Sequence, residues 1–82
     1  MSIKELLESN RTEYIMEVHD SLSARIIENA GFKGAWCSSF SLSATKGLRD
    51  INEMTMTDVL NVVDEITSAT KIPVLLDADN GY

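Results

Sequence analysis

The chain has 82 residues, 44% hydrophobic and 24% charged, with no low-complexity stretch; this describes one compact globular unit and excludes a disordered tail or a multidomain chain. Seven Lys and Arg against thirteen Asp and Glu leave a formal net charge of -6, a field that repels phosphate backbones and anionic bilayers, so neither nucleic acid nor membrane is an expected partner. A small anionic substrate stays open, because one bound cation reverses the potential locally.

The single cysteine, Cys37, cannot close an intrachain disulfide, which fits a reducing compartment and makes the cytoplasm the expected location. The start, Met1-Ser2-Ile3-Lys4-Glu5, lacks a basic stretch followed by an apolar core, and no run approaches the ~20 apolar residues needed to cross a bilayer. Secretion and membrane insertion are therefore not expected.

Ile3, Leu6 and Leu7 recur at helical spacing in a short opening segment that ends at the turn formers Ser9 and Asn10, which predicts a small lead-in helix. Tyr14-Ile15-Met16-Glu17-Val18 is a mostly apolar run of the size of a buried strand. Asp20 is placed to cap a helix whose expected apolar face is Leu22, Ile26, Ile27 and Ala30, with Gly31 ending it in the left-handed conformation. Phe32 to Cys37 reads as a second strand, and the serine-rich stretch Ser38, Ser39, Ser41 and Ser43, running on to Asp50, as a loop with functional potential.

Thr55 with Asp58 three residues on is a variant of the capping box, and Val59, Val62, Val63 and Ile66 follow at helical spacing. Lys71-Ile72-Pro73 closes that helix, and Val74-Leu75-Leu76 reads as a third buried strand. Apolar strands alternating with amphipathic helices call for an α/β fold with a parallel sheet covered by helices. The strand spacing suits a (β/α)₈ barrel or an open doubly wound sheet alike.

In both architectures ligands meet the carboxyl ends of the strands, where Glu17-Val18-His19-Asp20, Trp36-Cys37-Ser38-Ser39, the loop to Asp50, and Asp77-Ala78-Asp79 are expected. Asp77 and Asp79, two apart on an extended segment, project to one side and suit hard oxygen coordination of Mg²⁺ or Mn²⁺, directly or through water. The same pair also reads as helix-capping aspartates at a strand end, and spacing alone leaves both readings open.

His19 reads as a locally hydrogen-bonded residue, Glu17 as a salt-bridged strand residue, and Cys37 as a buried structural thiol. Trp36 on a short apolar strand reads as core. Met54 and Met56 are expected to fill gaps under the loop, and Asp64 and Glu65 to lie on a solvated helix face. Lys46 and Arg49 are candidates for drawing an anion to the loop, with Arg49 the better placed to brace Asp50 or a neighbouring carboxylate.

Five segments carry a family resemblance: His19-Asp20-Ser21-Leu22-Ser23-Ala24-Arg25, Ala30-Gly31-Phe32-Lys33-Gly34, Trp36-x-Ser38, Gly47-Leu48-Arg49-Asp50, and Ile72-Pro73-Val74-Leu75-Leu76-Asp77-Ala78-Asp79-x-Gly81-Tyr82. In this order they resemble the phosphoenolpyruvate mutase branch of the isocitrate lyase superfamily. The resemblance implies a Mg²⁺-dependent (β/α)₈ barrel (Mn²⁺ as an alternative ion) of roughly three times this length, with its site at the carboxyl face. This chain would then be the first three β/α units of one barrel domain, and the enzyme a homo-oligomer, a tetramer in the family. The implied substrate is a small anion, phosphoenolpyruvate or phosphonopyruvate, between which a phosphoryl group moves from enol oxygen to methylene carbon.

Carried over by position, the resemblance makes Asp77 the direct metal ligand, gives Asp79 and Asp50 metal-bound waters, and gives Asp50 a catalytic role. It places Trp36, Ser38 and Ser39 at the substrate. Cys37 and Ser39 stand where the family's residues flanking the pocket serine are usually glycine, and Asn80 where threonine is common. Sibling activities, phosphonopyruvate hydrolysis or carbon–carbon bond lysis, are close rivals, and Arg49 before Asp50 and the Asp77-Ala78-Asp79 sequence favour the mutase. Three parallel strands also leave two open edges, so the piece by itself is expected to expose apolar surface, to associate or need further strands, and to be inactive.

Overall fold

The computed structural model describes residues 2–49 and 54–78. In chain order these form α1 (Ile3–Glu8), β1 (Ile15–Val18), α2 (Ser21–Asn29), β2 (Gly34–Cys37), α3 (Ser39–Thr45), α4 (Met56–Ala69) and β3 (Val74–Leu76). The strands make one parallel sheet in the order β1-β2-β3, as the alternation of apolar runs and amphipathic segments predicts. Among the described residues, no helix is long and apolar enough to cross a membrane.

Local chemistry sets the helix ends. Asp20 accepts from the Ser23 amide at 2.7 Å, and Thr55 and Asp58 satisfy each other's amides in a reciprocal cap on α4. Gly31 has φ 96°, and the Gly31 and Phe32 amides donate to the carbonyls of Glu28 and Ile27, a paired closure that satisfies the last turn of α2.

Along each strand, side chains alternate between two faces. Val18, Ala35 and Cys37 point to the helices and form the core with Ala24, Ile27, Val59, Val62 and Ile66 of α2 and α4. On the opposite face the register aligns Glu17, Trp36 and Leu75. At its amino end α1 closes that face: a Cβ added at Gly34 would stand 3.1 Å from Leu6 Cδ1 and 3.4 Å from Ile15 Cγ1.

Three expectations are corrected. The serine-rich stretch is not all loop, since α3 occupies Ser39–Thr45. Its buried stripe is Ser39, Leu42 and Ser43, at helical spacing, and it ends like α2: Gly47 has φ 69°, with the Gly47 and Leu48 amides on the carbonyls of Ala44 and Ser43.

The buried side of α2 is Ala24 and Ile27, whereas Leu22 and Ile26 are 66% and 58% exposed and Ala30 is exposed too. At about 100° per residue Leu22 and Ile26 lie nearly opposite Ala24 and Ile27, away from the sheet and α4. Met54 is buried as expected, but Met56 opens α4 in an exposed position. With Tyr14 and Met16 exposed beside the free edge of β1, the expected apolar surface is present.

Candidate active site

The chemistry gathers where the strands end. Ser38 follows β2 in extended conformation and is the N-cap residue of α3, so the strand's alternation carries it to the face of Glu17 and Trp36. Asp77 follows β3, and its amide donates to the Cys37 carbonyl at 3.0 Å, continuing the ladder one residue past the strand. By the same alternation Asp77 shares the face of Leu75 and Trp36.

The first turn of α3 bridges two strands. Ser41 donates to Glu17 Oε1 at 2.7 Å on the β1 side, and Ser39 donates to Asp77 Oδ2 at 3.4 Å on the β3 side. Ser38 and Ser39 are only 7% and 3% exposed, and among the described residues no buried side-chain polar atom lacks a partner. The serines thus tie a carboxylate from each outer strand to one turn of backbone.

Glu17 was expected in a salt bridge, yet the partners it shows are hydroxyls. Those of Ser41 and then Ser38 hold its carboxyl below the ordinary value, against a smaller opposing effect of burial. Spacing gave no hint of this, because the pairing depends on the stretch after β2 turning into a helix. His19 behaves as expected of a local residue: its Nε2 stands 3.5 Å from Asp20 Oδ2, and its amide donates to Ser23 Oγ.

Cys37 is also as expected. It faces the helices, and burial pushes its thiol up to about 11, so it stays protonated and is not poised as a thiolate ligand or nucleophile. Trp36 is half-buried between Glu17 and Leu75 rather than sealed in the helix-covered core.

The donors at this corner are therefore oxygens, the Asp77 carboxylate and the Ser38 and Ser39 hydroxyls, which fits a hard cation such as Mg²⁺ or Mn²⁺ and not a thiolate-preferring ion. Asp50 and Asp79, the other expected ligands, lie outside the described residues; within those residues no group of three or more His, Cys, Asp and Glu converges. A cleft of about 340 Å³ lies at the other end of the sheet, lined by Arg11, Tyr14, Phe32 and Lys33 among others, ahead of β1 and β2. It holds none of the residues singled out for chemistry.

Comparison with known proteins identifies relatives of this chain. The chain is 49% identical over 80 residues to a phosphoenolpyruvate phosphomutase of Tetrahymena pyriformis, covering 98% of this chain and 27% of that protein. It superposes on the crystal structure of phosphoenolpyruvate phosphomutase from Streptomyces platensis subsp. rosaceus with a TM-score of 0.92 at 40% identity, covering 98% of this chain and 28% of the other. A phosphonopyruvate hydrolase in complex with oxalate and Mg²⁺ matches with a TM-score of 0.86 at 36% identity, over 92% of this chain and 26% of that one. The chain thus spans about a quarter of the length of these relatives. The family model for phosphoenolpyruvate phosphomutase matches residues 3–82, and the chain belongs to that family.

Proposed function

We propose that this chain supplies the first three β/α units of a (β/α)₈ barrel enzyme that interconverts phosphoenolpyruvate and phosphonopyruvate in a Mg²⁺-dependent isomerisation. The observation that carries the reading is the junction of Asp77, Trp36 and the α3 serines on one face at the carboxyl ends of a parallel sheet. In it Asp77 would be the direct ligand of the metal, Asp79 and Asp50 would hold it through water, and Asp50 would act on the phosphoryl group, its role and that of Asp79 resting on the family pattern. A bound Mg²⁺ supplies stabilisation of enolate charge and offsets the repulsion between an acidic chain and an anionic substrate.

This chain's residues do the positioning. Trp36 gives the substrate an apolar wall that excludes water, while the Ser38 and Ser39 hydroxyls offer polar contacts beside Asp77. In the reaction the bond from phosphorus to the enol oxygen breaks and one to the methylene carbon forms, or the reverse, with no co-reactant. The enzyme works in the cytoplasm as a homo-oligomer, and further strands cover the open edges of β1 and β3.

A second reading, phosphonopyruvate hydrolase, is favoured by the close structural match to that enzyme with Mg²⁺. It consumes water and releases phosphate and pyruvate. Phosphorus NMR of the intact protein with phosphonopyruvate and Mg²⁺ separates the two: phosphoenolpyruvate is the expected product, and inorganic phosphate with pyruvate in its place would sink the mutase reading. An intact-mass measurement on the protein from its native source tests the barrel, with a mass well above that of 82 residues expected.

A further inference from the structure

Ser39 stands in an unusual relation to Asp77. Its side chain is almost wholly buried on the inner stripe of α3, and its hydroxyl reaches across to Asp77 Oδ2 at 3.4 Å. The other end is fixed as well, because the Asp77 amide is held by the Cys37 carbonyl. Helix and ladder thus hold both partners at the backbone, and the hydroxyl lies beside one oxygen of the carboxylate between them.

We propose that Ser39 is a positioning residue that makes the Asp77 site select a small cation, Mg²⁺ or Mn²⁺, over Ca²⁺; this rests on the reading of Asp77 as a metal ligand. A hydroxyl seated on Oδ2 disfavours the arrangement in which both oxygens of one carboxylate grip the same ion. Ca²⁺ gains from that two-oxygen grip, at distances of about 2.3–2.6 Å, and tolerates six to eight ligands. Mg²⁺ takes single oxygens at about 2.0–2.1 Å in a strict octahedron and keeps several of its waters. An aspartate with one oxygen in contact with a serine hydroxyl suits the second ion. Outer partners of this kind orient the ligand before the ion arrives.

The test is Mn²⁺ binding to the intact protein, read from the electron paramagnetic resonance signal of the free aquo-ion, with Ca²⁺ as competitor. Ser39→Ala is expected to weaken Mn²⁺ binding about tenfold, the low end for loss of an outer partner, given the length of the contact. Ca²⁺ binding is expected to fall less, so the preference for Mn²⁺ shrinks several-fold, and Ser39→Thr, which keeps the hydroxyl, retains it. Ser39→Gly is a second donor-deleting variant, so a folding failure of one leaves the test intact. An unchanged Mn²⁺-to-Ca²⁺ preference in the folded donor-deleting variant overturns the role of Ser39. Asp77→Asn separates the two ideas: undiminished Mn²⁺ binding there overturns Asp77 as ligand, whereas lost binding there with no change in the Ser39 variants rejects the selectivity role alone.

Discussion

The two faces of the sheet are built from alternate residues of the same strands, yet they do different work. On the helix side, Val18, Ala35 and Cys37 meet Ile27, Val59, Val62 and Ile66 in a continuous apolar core. On the other side, Glu17, Trp36 and Asp77 stand in or just past the strands, and among the described residues Leu6 packs over Gly34 at the amino end. Stability is concentrated on one face, and the carboxyl half of the other is left to polar groups and to a half-buried Trp36. A one-residue slip of register would exchange the two sets, so the covered face fixes the position of the chemical one.

The sharpest way to break this comparison is to cut the covered face. Ile66→Ala removes a side chain with 0% exposure from α4 and is expected to cost about 2–5 kcal/mol, read as a lowered midpoint in urea unfolding of the intact protein. A loss under about 1 kcal/mol would mean that the core is not where stability resides. The α4 cap comes next: Thr55→Ala leaves the Asp58 amide without its side-chain acceptor and is expected to cost about 1 kcal/mol by the same measurement.

Gly34→Ala probes the closed end of the other face. The new methyl meets the flexible end of Leu6 at 3.1 Å, so a loss of about 1 kcal/mol is expected, less than for the cut at Ile66. A stabilised variant would show that Leu6 yields freely and that α1 does not close that face.

The smallest effect concerns the polar end. Glu17 and Asp20 both titrate below their ordinary values of 4.5 and 3.8, Glu17 chiefly through Ser41 and Asp20 through the Ser23 amide. A depressed folded pKa adds stability above the unfolded value and loses it as pH falls through the folded one. The melting temperature is therefore expected to drop on acidification below 4.5, and Ser41→Ala to reduce Glu17's modest share of that drop, with the Ser38 part remaining. An identical pH profile for Ser41→Ala would mean that the Glu17 contact adds nothing.

Much of the fold was legible along the chain because its signals are local. Capping at Asp20 and Thr55, the left-handed stop at Gly31 and the apolar runs of the three strands depend on neighbours within a few residues. α3 was missed because serine clusters favour loops in isolation. Its signals were Gly47 as a stop and Leu42 beside small residues, and its serines meet partners only when β1 and β3 flank the turn. The face of α2 was misjudged for a related reason. At about 100° per residue the apolar residues of that helix spread over little more than half its circumference, and only the direction of the sheet and α4 decides that Ala24 and Ile27 are inside while Leu22 and Ile26 are not.

The site divides along the same line. Sequence by itself determined the residue types, Asp77 after a strand, Trp36 and Ser38 at the end of another, and the family pattern that joins them. Only the tertiary structure decided that Ser39 reaches Asp77 and that Ser41 reaches Glu17. Those pairs are 38 and 24 residues apart in the chain, and hydroxyl-to-carboxylate contacts at that separation follow from strand register and helix placement, not from any local preference.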